Sequence, residues 1–218
     1  MTPAALFDLD GTILNTLADL RASLNRALKS LGFPARDAAS VRSMVGNGIS
    51  NLIRVALPEK ARDEETRRKA QAAFKEDYAA RQLEKTVPYP GIPLFFKEFQ
   101  ARGWPLGVLS NKDHENAVTV TTHYFPNVFQ IILGVSPSRP PKPNPEGALE
   151  AARALGRSPE DIYYFGDSRV DMALATAVGF FPVGVSWGFQ GAAAVREGGA
   201  RIVLDSPQDF WRALDSPL

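Results

Sequence analysis

The stretch Ala4-Ala5-Leu6-Phe7-Asp8-Leu9-Asp10-Gly11-Thr12 decides how the rest of the chain is read. Its first four residues are apolar and have the length and flanks of a buried strand rather than of a helix. Two carboxylates then sit where that strand gives way to a glycine turn. If the backbone is still extended from Asp8 to Asp10, the period of two aims both carboxylates to one side and Leu9 to the other. Two anions this close repel one another unless a cation or a shared proton settles the charge. The pair therefore implies a metal, or an acid and a base with separated pKa values. Taken alone it is also compatible with a plain Asp-Gly turn closing a strand.

Composition narrows the chemistry. The 218 residues are long enough for one large domain, or for a core with a smaller companion. With 44% hydrophobic and 22% charged residues the chain is of ordinary globular type. The absence of cysteine excludes disulfides, thiolate metal sites and a cysteine nucleophile. A metal site would then draw on carboxylates and suits a hard cation such as Mg²⁺. A net charge of +1 with intermixed signs argues against a nucleic-acid partner. No apolar run nears the ~20 residues of a membrane span, so no membrane partner is expected and a cytoplasmic location is the default.

Working outward, Leu17, Leu20, Leu24, Leu28 and Leu31 recur at helical spacing, with Thr16 placed as N-cap and Gly32 as stop. Short helices follow at 40–45 and 49–57, separated by Gly46-Asn47-Gly48, and a long charge-laced helix at 59–85. Residues 15–87 thus read as wholly helical. From Pro88-Tyr89-Pro90-Gly91 onward, strands at 105–109, 129–133, 162–165, 181–185 and 202–204 alternate with helices at 92–102, 114–123, 146–155, 168–178 and 207–214. That alternation predicts an α/β fold, a doubly wound parallel sheet covered on both faces. The first strand belongs to the same sheet. Residues 1–14 and 88–218 are accordingly expected to form a Rossmann-like core, and 15–87 a helical insertion after strand one.

In open parallel sheets, ligands sit beyond the carboxyl ends of the strands. Asp8, Asp10 and Thr12 follow the first strand, Ser110-Asn111-Lys112 the second, and Gly166-Asp167-Ser168-Arg169-Val170-Asp171 another, while the Pro-rich loop at 136–145 carries Lys142. Convergent carboxylates, a hydroxyl, an amide and a lysine suit phosphoryl transfer. Asp8 can attack phosphorus, a known role for a carboxylate. Mg²⁺ held by Asp8, the main-chain carbonyl of Asp10 and Asp167 would offset the charge repulsion, with Asp171 orienting a metal-bound water. Lys142 adds positive charge and Ser110 a hydrogen bond. Asp10 serves as acid and then base, which requires its pKa to lie above that of Asp8.

The four motifs Phe7-Asp8-Leu9-Asp10-Gly11-Thr12, Leu109-Ser110-Asn111-Lys112, Lys142-Pro143-Asn144-Pro145 and Gly166 to Asp171 resemble, in order and spacing, those of the haloacid dehalogenase superfamily phosphatases. The resemblance covers nearly the whole chain. It implies a Rossmann-like core with an all-helical, C1-type cap after the first strand, Mg²⁺ dependence, and a covalent route with Asp8 as nucleophile, Asp10 as acid/base and Lys142 as phosphate ligand. Within the superfamily, Val45 to Ile53, Tyr89-Pro90-Gly91-Ile92 and Ser110-Asn111-Lys112 look like the bacterial phosphoglycolate phosphatases. That likeness implies a small phosphorylated metabolite as partner, 2-phosphoglycolate first, in a monomer or homodimer. Gly46, Asn47 and Gly48 in a loop dipping toward the site, with Ser110 and Asn111, would bind it, since glycines let the backbone approach a small ligand.

Pyrophosphate hydrolysis and sugar-phosphate phosphatase or mutase chemistry remain alternatives within the superfamily. Asn15 and Asn144 stand where relatives often carry Asp, or Asp or His; Asn15 lies outside the four motifs, and Asn144 lies inside the third without replacing Lys142. A non-enzymatic phospho-acceptor switch is disfavoured because Asp10 would hydrolyse the acyl-phosphate and the helical insertion would have no purpose.

Overall fold

The computed structural model describes residues 2–215. The elements run β1 (Ala4–Phe7), β2 (Leu14–Asn15), α1 (Leu17–Ser30), α2 (Ala38–Met44), α3 (Gly48–Ala56), α4 (Glu64–Arg81), β3 (Val87–Pro88), α5 (Ile92–Ala101), β4 (Leu106–Asp113) and α6 (His114–Tyr124). They continue with β5 (Ile131–Val135), α7 (Glu146–Leu155), β6 (Ile162–Gly166), α8 (Arg169–Val178), β7 (Phe181–Val185), α9 (Gly191–Glu197), β8 (Ile202–Leu204) and α10 (Asp209–Asp215). Six parallel strands form the main sheet in the order β5-β4-β1-β6-β7-β8.

Strand β1 lies inside this sheet and is buried on both faces, which is why it reads as an unbroken apolar run. Ala5 and Phe7 point into one core with Phe95, Phe96, Phe99, Phe165 and Phe210. Ala4 and Leu6 point into the other, with Leu109, Ala151, Leu155, Tyr164 and Leu174. The alternation follows from the strand period of two. Phe7 stacks on Phe165 at 4.6 Å and meets Phe96 edge-on at 5.3 Å, so the strand that ends in Asp8 is fixed by dense aromatic packing.

Helices α1 to α4 enclose an apolar cluster of their own, built on Leu24, Leu28, Val41, Ile53, Phe74 and Tyr78. The chain enters and leaves this block through neighbouring strands, β2 and β3, paired antiparallel with Leu14 opposite Pro88 and Asn15 opposite Val87. This ribbon is absent from the sequence-based reading, because two residues carry no detectable period. Asp19 of α1 clasps the returning chain: its Oδ2 accepts the Lys85 and Thr86 backbone N–H groups at 2.9 and 2.8 Å and the Thr86 hydroxyl at 2.9 Å. No described helix is long and apolar enough to cross a membrane.

Three local expectations are corrected. The helix expected at 59–85 is a short 3₁₀ turn at 59–61 followed by α4, because Asp63 caps a fresh start by accepting the Thr66 N–H at 2.9 Å. Thr16 precedes α1 but makes no side-chain cap; its hydroxyl is buried without a partner among the described residues. Strand β4 runs on to Asp113 with an irregularity in its pairing between Leu109 and Asp113, so Ser110, Asn111 and Lys112 lie on the strand rather than after it. A bulge of this kind re-aims side chains at a site.

Candidate active site

The carboxyl ends of β1, β4 and β6, adjacent in the sheet, carry the polar residues into one place. Asp8, Asp167 and Asp171 are buried, and each offers an oxygen within 4.8 Å of the others. Lys142 stands among them. Its Nζ lies 2.8 Å from Asp8 Oδ1 and 2.7 Å from Asp171 Oδ1, and it donates to the Tyr164 hydroxyl and the Leu109 carbonyl at 3.0 and 3.2 Å.

The two acids of the Gly166 to Asp171 motif differ in capacity. Asp171 accepts from Lys142 and Tyr164 on Oδ1 and from the Ser168 N–H and hydroxyl on Oδ2, completing a capping box at the start of α8. Four donors fill the lone pairs of its carboxylate. Asp167 accepts only the Phe189 N–H, at 2.5 Å on Oδ2, leaving its other oxygen without a bond among the described residues. Gly11 and Gly188 bracket Asp167; a Cβ at either position would collide with its side chain, so both glycines are needed for this approach.

Three carboxylates around one ammonium leave excess negative charge in a buried space. Burial pushes the Asp8 carboxyl up to about 7, with Lys142 pulling it back and Asp171 pushing further. Asp167 moves well upward for the same leading reason. Burial opposes the Lys142 charge, but Asp171 and Asp8 outweigh it and hold the ammonium above its ordinary range. This charge imbalance and oxygen-only donor set fit a divalent cation. Asp8 and Asp167 are the carboxylates with an open oxygen, whereas Asp171 acts through Lys142.

Asp10 lies apart from the three-carboxylate cluster. Its oxygens meet Lys112 Nζ at 2.9 and 3.1 Å, and the same ammonium donates to the Tyr78 hydroxyl of α4 at 2.7 Å. The expectation of Asp10 among the metal ligands can thus hold only through its main chain. Lys112 and Tyr78 went unassigned in the sequence-based reading. The signal for Lys112 was present, since a strand carried through to Asp113 would align it with Ser110.

Asn111, expected to bind substrate, is engaged elsewhere. Its Oδ1 accepts the Lys142 N–H at 2.6 Å, while Nδ2 donates to the Lys142 carbonyl at 3.2 Å and to the Gly46 carbonyl at 3.0 Å. It therefore clips the Lys142 loop to the Gly46 turn. Gly46 and Gly48 line the cavity beside Asp8, with Ser110, while Asn47 is exposed and does not line it. Arg42 of α2 donates to the Gly188 carbonyl at 2.9 Å, and the Trp187 indole N–H to the Thr12 carbonyl at 2.9 Å. The helical block thus closes over the strand ends.

Comparison with known proteins agrees with this geometry. The haloacid dehalogenase-like hydrolase family model matches residues 5–185. The chain is similar to a phosphoglycolate phosphatase of Nitrosococcus oceani, 29% identical over 92% of this chain and 91% of the relative. It is also similar to one from Cereibacter sphaeroides, 32% identical over 81% and 82% of the two chains. Among solved structures, that of a predicted phosphoglycolate phosphatase from Haemophilus somnus superposes with a TM-score of 0.90 at 25% identity, covering 98% of each chain.

Proposed function

Because the chain belongs to the haloacid dehalogenase-like hydrolases and is a phosphatase, we propose that it hydrolyses 2-phosphoglycolate through an aspartyl-phosphate formed on Asp8. The observation that carries this reading is the position of Asp8 at the strand ends, clustered with Asp167, Asp171 and Lys142 on one side and lining, with Asp10 and Ser110, a cavity on the other. The name shared by the relatives supports the choice of substrate. Residues 15–87 act as the cap that covers it, on a core made of 2–14 and 88–215 among the described residues. A cytoplasmic protein, as monomer or homodimer, is the setting we infer.

The mechanism follows from the residues. Lys142 and the Ser110 hydroxyl hold the phosphoryl oxygens in line with Asp8. An Asp8 oxygen attacks phosphorus as the bond from phosphorus to the leaving oxygen breaks, and Asp10 gives its proton to that oxygen. Glycolate departs. Asp10, now a carboxylate, takes a proton from water as that water attacks phosphorus, and the bond to Asp8 breaks to release phosphate. Asp8, Asp167 and the Asp10 carbonyl would hold Mg²⁺, which when bound neutralises charge between Asp8 and the phosphate dianion. The Asp171 carboxylate and Tyr164 hydroxyl keep Lys142 pointed at Asp8.

Phosphate release from 2-phosphoglycolate with Mg²⁺, set against pyrophosphate and sugar phosphates, tests the proposal. Asp8→Asn should show no turnover, and rapid quenching of the wild type should trap a short-lived aspartyl-phosphate. Turnover by Asp8→Asn within tenfold of wild type would rule out covalent catalysis.

A further inference from the structure

The cavity beside Asp8 has a volume of about 50 Å³, a few water-sized positions. The leaving part of a phosphomonoester attacked by Asp8 must lie here. On the helical side the wall is apolar, formed by Leu20, Val45, Ile49 and Phe74. Asp8, Asp10 and Ser110 serve the phosphoryl group and the ester oxygen, and the Asn111 amide is taken up by Gly46 and Lys142. Lys112 and Tyr78 are the polar side chains left.

Both are nearly inaccessible, the Lys112 side chain 3% and Tyr78 1% exposed. The Tyr78 hydroxyl accepts from Lys112 and donates to nothing among the described residues. Burial pushes its pKa up to about 12, so it keeps its proton. A buried O–H without an acceptor, lining a cavity, is matched by a ligand that brings one. Lys112 touches both Asp10 oxygens, so it can exchange one of those contacts and stay paired. Lys142 already stands between two carboxylates in this way.

We propose that Lys112 and Tyr78 form a carboxylate subsite, which makes this phosphatase selective for small phosphomonoesters bearing a carboxylate close to the ester oxygen. The inference rests on the phosphatase reading above and adds what selects the substrate. The pair offers donors alone, complementary to a carboxylate, which only accepts. A sugar phosphate brings hydroxyls that need acceptors as well as donors. A neutral alkyl phosphate leaves the two donors buried and unmatched.

The test is steady-state kinetics with Mg²⁺ for wild type, Tyr78→Phe and Lys112→Met on 2-phosphoglycolate, 2-hydroxyethyl phosphate and pyrophosphate. Wild type should favour 2-phosphoglycolate over its neutral analogue by roughly 100-fold in kcat/KM, two hydrogen bonds to a charged group being at stake. Tyr78→Phe should lower that ratio roughly tenfold, mainly through KM, and Lys112→Met should lower it further. A wild-type ratio near one, a ratio unchanged in the variants, or a preference for pyrophosphate would overturn the carboxylate subsite while leaving the phosphatase intact. Absence of turnover on all three substrates would instead overturn the proposed hydrolysis of 2-phosphoglycolate, and the subsite with it. Should Lys112→Met not fold, Tyr78→Phe, which removes a single oxygen, decides alone.

Discussion

Asn111→Ala separates positioning from substrate contact. The native amide makes three hydrogen bonds, at 2.6, 3.0 and 3.2 Å, two of them to the main chain of Lys142 and one to the Gly46 carbonyl. At roughly 1 kcal/mol net for each bond, the loss is about 3 kcal/mol, and more if the buried Lys142 N–H finds no water. For a domain of this size each kcal/mol corresponds to roughly 2–4 °C, so Tm should fall by about 6–12 °C. Catalysis should suffer through geometry, because a misplacement of ~1 Å in a positioning group costs on the order of 100-fold. The expected pattern is a drop in kcat of roughly 10- to 100-fold, with the lower Tm read by calorimetry on the same preparation. A rise in KM alone, with Tm and kcat unchanged, would refute the clip and return Asn111 to direct substrate binding.

Two further outcomes follow from the charge distribution. In Asp10→Asn, the stabilisation by added Mg²⁺ should persist while turnover falls at least 100-fold, whereas Asp167→Ala should lose the Mg²⁺-induced rise in Tm; equal loss in both would make Asp10 a side-chain ligand. The pH dependence of the metal-free protein has a definite sign. Asp8 is raised to about 7 and Asp167 is raised as well, so the folded chain retains protons that the unfolded chain sheds above about 4. Stability in chelator should therefore decline as pH rises from about 4 to 7, with a shallower slope in Asp8→Asn. Added Mg²⁺ should raise Tm more at pH 7.5 than at pH 5, because cation and protons compete for the same carboxylates. A stability that climbs over that interval, with the Asp8→Asn slope unchanged, would contradict the burial argument.

Much of this molecule was legible in local pattern. A short apolar run with two acids and a glycine at its end, followed by alternating strand and helix signals, determined a buried parallel sheet and the rim on which Asp8, Ser110, Lys142 and Asp167 meet. Those inferences needed only periods and turn chemistry, which act over a few residues. The two-residue strands β2 and β3 lay below that resolution, since their pairing joins residues more than 70 positions apart.

Partner choice among polar groups was decided by tertiary structure alone. Asp10 and Asp167 are both carboxylates at strand ends, yet one faces an ammonium and the other a single backbone N–H. Asp171 has its oxygens filled by four donors, and Asn111 has its amide consumed by two loops. Residue type and spacing bring such groups to a common rim. Which of them stays open to a ligand depends on donors arriving from distant segments, through distances of about 3 Å that no local pattern encodes.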